Sequence, residues 1–233
     1  MSYISCVQGS AEWFEARCGR VTASHMVDVL SVLKRGGESR ARFQYKLQLI
    51  AEVCTGKAQE NYVSPAMQYG IEQEPFARAA YEISQGVTVD QVGFFVHPEI
   101  EQAGASPDGV VADTDGLIEI KCPNTVTHLE YMLAGIVPEE YQPQMLWQMA
   151  CSGRKWCDFV SYDPRMPAHL QLFIKRLERD DKRIADYEHA VLDFLGEMDA
   201  LMLRLSANTS QVIEGEVIAP EGIQTDFVTI KDD

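Results

Sequence analysis

The sequence predicts an α/β fold, with a mixed central β-sheet flanked by α-helices. Three observations predict it. Apolar residues recur at helical spacing between capping signals in the first third and again near residues 180–205; the middle turns β-branched and aromatic; and neither a repeat nor a linker separates these blocks. At 233 residues, 46% of them hydrophobic, the chain can bury one large core more readily than two small ones. The expected division is a single domain over residues 1–205 and a peripheral C-terminal tail over residues 206–233.

The elements follow in order. Ser10 is placed to cap a short helix ending at Gly19, and Thr22 to cap "ASHMVDVL". "RARFQYKLQLIAEVCTG" is amphipathic, with Gly56 as its stop. "SPAMQYGIEQEPFARAAYEISQG" opens with Ser64 as cap and Pro65 at the first helical position, and closes at Gly86. "VTVDQVGFFV" reads as strand and 105–121 as a hairpin. A helix starts at Thr125, and a longer one spans roughly 138–152 with Pro138 and Pro143 in its first turns. Residues 155–162 and 170–177 read as strands, and Asp180 caps a long final helix reaching about residue 205.

Several function classes drop out. No leader pattern and no apolar run near 18 residues appear, so neither an export signal nor a membrane span is expected, and the six cysteines are expected to be reduced thiols. They form no C-x-x-C pair, and the five histidines show no H-x-H or H-E-x-x-H spacing, which argues against iron–sulfur and zinc sites. The net charge of −15 points away from polyanions. Its distribution softens that: residues 1–60 hold eight basic against six acidic residues, whereas 187–233 hold two against ten.

The chemistry gathers in "ASPDGVVADTDGLIEIKCP". Asp113-Thr114-Asp115-Gly116 is turn chemistry. If it closes a hairpin, residues whose numbers sum to about 229 face one another, with Asp108 near Lys121 and Val110 near Glu119. Leu117, Glu119 and Lys121 then share one face of the second strand, and Ile118, Ile120 and Cys122 the other. Two carboxylates and a backbone carbonyl suit Mg²⁺, and a lysine beside them can serve an attacking water if desolvation lowers its pKa. Taken alone, D…E-x-K is a common strand pattern. Two helices add to it. Glu74 lies on the stripe Met67, Ile71, Ala77, Arg78, Tyr81, where a carboxylate needs a partner; a salt bridge to Arg78 is the plain alternative. Gln144 shares a helix face with Tyr141, Met145, Gln148 and Met149.

"SPDG" followed by "EIKCP" resembles the PD-(D/E)xK motif of phage lambda-type exonucleases, the YqaJ-like viral recombination nucleases. "WFEARCGRVTASH", "LIAEVCTG", "YGIEQE", "YQPQMLWQM" and "YDPRM" resemble that family's segments in the same order, over roughly residues 10–205. The resemblance implies a restriction-endonuclease-like core. It implies Mg²⁺, with Mn²⁺ as a substitute, held by Asp108, Glu119 and the Ile120 carbonyl, with Lys121 serving the water and Glu74 supporting the site indirectly. Gln144 and Tyr141 match the family's Y-x-x-Q helix. Arg17, Thr22, Ser24 and Ser106 match a pocket for a terminal 5′-phosphate, Arg35 a DNA-contacting arginine across a loop of different length, and Met67 an apolar wedge that splits terminal base pairs. Each has a plainer alternative: surface charge for Arg17 and Arg35, a helix-terminal hydroxyl for Ser24, core packing for Met67. Trp13, Trp147 and Trp156 read as core or interface residues, and no histidine is given a role.

The activity implied is 5′→3′ degradation of one strand of linear double-stranded DNA, leaving a 3′ overhang for a single-strand-annealing protein. A ring-shaped homotrimer, a 5′-phosphorylated duplex as substrate and a cytoplasmic setting in a bacterial host, of phage or prophage origin, belong to the same expectation. Two alternatives stay open: a restriction-like endonuclease or junction resolvase, and a DNA-binding assembly module with a degenerate site.

Overall fold

The computed structural model describes residues 2–33, 36–59 and 64–210. Helix α1 (Ala11–Arg17) is capped by the Ser10 hydroxyl, which accepts the Trp13 N–H. Thr22 makes no side-chain cap; it ends a short strand and leads into a 3₁₀ turn, Ala23–His25, before α2 (Met26–Leu30). Helix α3 (Arg40–Thr55) stops at Gly56 with φ of 63°, and α4 (Pro65–Gln85) is capped by Ser64 and stopped by Gly86 at φ of 66°, a left-handed turn that favours glycine. Asn124 caps α5 (Thr125–Ala134). Helix α6 (Gln142–Ser152) starts four residues later than expected, because Pro138 lies in the turn that precedes it and only Pro143 occupies its first turn. Asp180 accepts the Arg183 N–H at the start of α7 (Asp181–Ser210), which runs five residues past the expected end. Residues 211–233, most of the expected tail, lie outside the described residues.

Two sheets replace the single one expected. The first has the order β1 (Ser2–Ile4), β4 (Phe94–Val96), β5 (Ala103–Ala105), β2 (Val21–Thr22). The second has the order β3 (Val89–Asp90), β6 (Gly109–Val111), β7 (Gly116–Lys121), β8 (Trp156–Tyr162), β9 (Leu172–Glu178). "VTVDQVGFFV" is therefore no single strand: it divides between the two sheets. In the second sheet β7 and β8 run parallel, so the chain must cross over between them, and α5 and α6 form that crossover.

The 105–121 hairpin begins later and pairs differently than expected. Gly109 faces Ile118 and Val111 faces Gly116, a shift of two residues that places Asp108 level with Glu119. The turn centres on Asp113, whose φ is 57°, and on Thr114, whose hydroxyl donates to the Val111 carbonyl (2.9 Å). Gly116 is a packing glycine instead of a turn glycine: a Cβ there would stand 2.1 Å from the Trp156 ring. An even shift keeps every side chain on its expected face. Ile118 and Ile120 pack with Ala77 and Tyr81 of α4, while Leu117 packs with Phe159, Met145, Met149 and Phe194 against α6 and α7. Burying side chains of this size contributes about 1.5–3 kcal/mol each. The layering leaves the Lys121 end of β7 open between α4, α5 and α6.

Candidate active site

At that end the sheet register gathers the expected residues. The Asp108 Oδ2 accepts the Ile120 N–H (2.6 Å), which locks this carboxylate onto the strand that carries Glu119. Glu119, 1% exposed, is gripped at both oxygens: Gln144 Nε2 donates to Oε1 (2.6 Å) and Gln148 Nε2 to Oε2 (2.6 Å). The two amides sit one turn apart on α6, which makes them neighbours on one helix face. Lys121 Nζ lies 2.6 Å from Glu119 Oε1 and 4.9 Å from the centre of the Tyr141 ring. Glu74 pairs with Arg78, as the plain alternative had it, and also lines the same cleft of about 930 Å³ as Asp108, Glu119 and Lys121.

Three carboxylates in one cleft repel one another. Burial, then Glu119 and Glu74, push the Asp108 carboxyl well above the usual range. Burial and Glu119 likewise push Glu74 up, with Arg78 opposing. The expectation that desolvation would lower the Lys121 pKa is not met. Burial alone acts that way, but Glu119 and Asp108 outweigh it and hold the amine above its ordinary value, so it stands as an ammonium. Burial beside Glu74 and Asp108 pushes the Cys122 thiol up to about 12, which leaves it protonated and a poor nucleophile.

A second group lines the same cleft from the four-stranded sheet. Arg17 stacks 4.2 Å over the Trp13 ring, and the Trp13 indole N–H donates to Ser106 Oγ (2.8 Å). Ser24 is exposed beside them. Arg17 has no carboxylate within ion-pair distance among the described residues, and burial pushes its pKa below the ordinary guanidinium value. Tyr45 and Glu52 oppose that shift.

Residues 12–155 match the YqaJ-like viral recombinase domain. The chain belongs to this family. An alkaline exonuclease from Laribacter hongkongensis is 48% identical, with a TM-score of 0.79 covering 87% of this chain and 100% of its own. Its complex with dAMP gives 47% identity and a TM-score of 0.80 over the same shares. A phage-related exonuclease from Haemophilus somnus 129PT, 16% identical, shares the fold at a TM-score of 0.62 over 80% of this chain and 96% of its own. No curated protein matches the chain. The protein is thus an exonuclease-family enzyme.

In this YqaJ-like exonuclease the cleft also takes in Ile120, Tyr141, Gln144 and, at its rim, Met67, which is 53% exposed and so is not core packing. One expected residue among those described does not line it. Thr22 is buried, with its N–H donating to Tyr45 Oη (3.0 Å), and reaches the pocket only through Ser24 Oγ at 3.3 Å. Arg35 lies outside the described residues. Trp13, expected in the core or at an interface, instead lines the cleft, because Arg17 at i+4 and Ser106 hold it there. Gln148 shares the helix face of Gln144 and grips Glu119 as well; its i+4 spacing from Gln144 is the sequence signal for it. Trp147 is core, fully buried against His97.

The donor set fits a hard divalent cation. Asp108 and Glu119 with the Ile120 carbonyl are oxygen donors, and a crowd of carboxylates is relieved by such a charge. Among the described residues no group of three or more His, Cys, Asp and Glu side chains stands ready to hold a metal. Among the described residues no helix is long and apolar enough to cross a membrane.

Proposed function

We propose that this protein is a Mg²⁺-dependent 5′→3′ exonuclease that degrades one strand of linear double-stranded DNA and leaves a 3′ single-stranded overhang. One observation carries the reading: Arg17, desolvated and without a carboxylate partner among the described residues, lines the same cleft as Asp108, Glu119 and Lys121. A guanidinium with the Ser24 and Ser106 hydroxyls suits a terminal phosphate dianion. Holding that end fixes which phosphodiester reaches the carboxylates, and so sets direction.

Asp108, Glu119 and the Ile120 carbonyl would hold Mg²⁺ or Mn²⁺, which supplies an acidified water and neutralises charge on the phosphate. The chain's own residues do the rest. Gln144 and Gln148 aim Glu119; the Lys121 ammonium, with Tyr141 beneath it, donates to the water or to a phosphate oxygen; Glu74 supports the site from α4 through Arg78. Met67 stands exposed at the rim, where an apolar side chain can part a terminal base pair. The relative's complex with dAMP holds the kind of mononucleotide that stepwise removal releases. A ring of three copies around the duplex would keep an acidic chain on its substrate, and the overhang would pass to a single-strand-annealing protein.

The test is strand-resolved digestion of end-labelled duplex with and without Mg²⁺. Linear 5′-phosphorylated DNA should lose mononucleotides from its 5′ end, 5′-hydroxyl DNA should react more slowly, and covalently closed circles should persist. Cutting of closed circles would favour the endonuclease alternative.

A further inference from the structure

We propose that Arg165 and Tyr69 form a further phosphate subsite in the cleft, taking a backbone phosphodiester of the bound DNA other than the terminal and scissile ones. The inference rests on the reading of the cleft as a DNA site. Strand order places the subsite. β6 and β8 flank β7 on opposite sides, with Lys121 level with Ser161 of β8. Ser106 lies just ahead of β6, and Arg165 just beyond β8. The Arg17 pocket and Arg165 therefore stand on opposite flanks of the catalytic strand.

Arg165 is built as a receptor. Its Nε donates to Asp163 Oδ1 (2.6 Å), and its Nη2 donates to Asp163 Oδ2 (3.1 Å) and to the Pro123 carbonyl (2.9 Å). Asp163 is fully buried and is itself fixed by the Thr125 hydroxyl (2.7 Å). The guanidinium lies 5.0 Å over the Tyr69 ring. Such a lock removes the rotamer freedom that makes an exposed arginine a poor ligand. Yet the side chain remains 48% exposed and lines the cleft, and its Nη1 makes no hydrogen bond among the described residues. If Arg165 served only to close its loop, this free edge would have no reason to face the nuclease cleft.

Tyr69 gives a separate indication. Its ring lines the same cleft, but its buried hydroxyl finds no hydrogen-bond partner among the described residues. Burial also keeps that hydroxyl protonated, hence a donor. A phosphate oxygen accepting from both Arg165 and Tyr69 would satisfy the two groups together. The start of α5 adds the positive end of its dipole from Asn124 and Thr127 on the same wall. Contacts of this kind set the register of a nucleic acid without reading its sequence.

The experiment measures equilibrium binding of short blunt duplexes of several sequences by the full chain, with Ca²⁺ replacing Mg²⁺, over a range of KCl concentrations. Arg165→Gln should weaken binding to all sequences alike and make the slope of log K against log[salt] shallower by about one. Tyr69→Phe, which removes only the hydroxyl, should weaken binding several-fold at an unchanged slope. A parent-like slope for Arg165→Gln would overturn the proposal, because loss of a purely structural lock releases no counterion. Should that variant fail to fold, Arg165→Lys decides. Several-fold weaker binding at the parent's melting temperature supports the subsite, and parent-like affinity overturns it. Failure of the parent itself to bind duplex would instead sink the reading of the cleft.

Discussion

The five-stranded sheet carries Asp108, Glu119 and Lys121 on or beside a core strand of six residues flanked by one of seven, whereas the four-stranded sheet brings the proposed phosphate pocket with strands of only two or three. In the first, position is set by ladder register and by packing on both faces. Glu119 cannot move without breaking the β7–β8 pairing or leaving α6. In the second, Arg17 and Trp13 project from a seven-residue helix held to its sheet by Ala16 against Phe94 and Val96. On the proposed reading, the chemistry sits on the stiffer part and the recognition of the DNA end on the lighter one. Damage to one should therefore be separable from damage to the other.

The largest separation is expected from Asp108→Ala. Mg²⁺-dependent nucleotide release should fall by at least about a thousandfold. The melting temperature should stay within a few degrees, because the lost bond to the Ile120 N–H is offset by removal of a buried carboxylate crowded by Glu119 and Glu74. Arg17→Ala should cost about 10- to 100-fold on 5′-phosphorylated ends, the worth of a charge-assisted contact, and little on 5′-hydroxyl ends; equal losses on both would make Arg17 structural. Gln148→Met leaves Glu119 Oε2 without its amide and should weaken Mn²⁺ binding about tenfold or more, read by calorimetry without DNA.

Two smaller effects probe the lighter sheet. In Gly104→Ala the new Cβ would stand 2.2 Å from the Phe94 ring and 2.6 Å from the Phe95 carbonyl. Urea unfolding should show a loss of about 1–3 kcal/mol, with 5′-phosphate preference reduced and Mn²⁺ affinity kept. If Mn²⁺ affinity falls equally, the two sheets act as one. The mildest effect concerns His97, next to β4. Burial lowers its pKa, with Glu188 opposing, and its Nδ1 accepts the Ile100 N–H (3.2 Å), so the folded ring is neutral. Below about pH 6.5 the unfolded chain binds a proton there that the folded chain refuses. Stability should accordingly fall as pH drops through that value, and His97→Gln should flatten the dependence in unfolding curves.

The same contrast explains what the sequence made legible. Long helices with paired start and stop residues, such as Ser64-Pro65 to Gly86, were readable to the residue because caps act locally. So was the alternation that turns Glu119 and Lys121 to one face. Strands of two or three residues leave no periodicity to detect, which is why β1, β2 and β5 do not show in the sequence and why 87–96 reads as one strand. The hairpin register differs because Gly116 reads as a turn residue from sequence, whereas it is the Trp156 ring that requires a glycine there. That Asp108, Glu119, Lys121 and Gln144 converge on one cleft is legible from the hairpin and from strand and helix periods. The Trp13–Ser106 bond joins residues 93 positions apart, a distance over which no local pattern speaks.

Because one helix grips Glu119 at both oxygens, this carboxylate cannot turn on its own. Any lone pair it offers elsewhere must be given up by an amide or by Lys121, and the half-exposed Gln144 is freer to let go than the fully buried Gln148. On the proposed reading, readying the site is thus an exchange of partners about a fixed pivot, with Gln144 as the partner that yields.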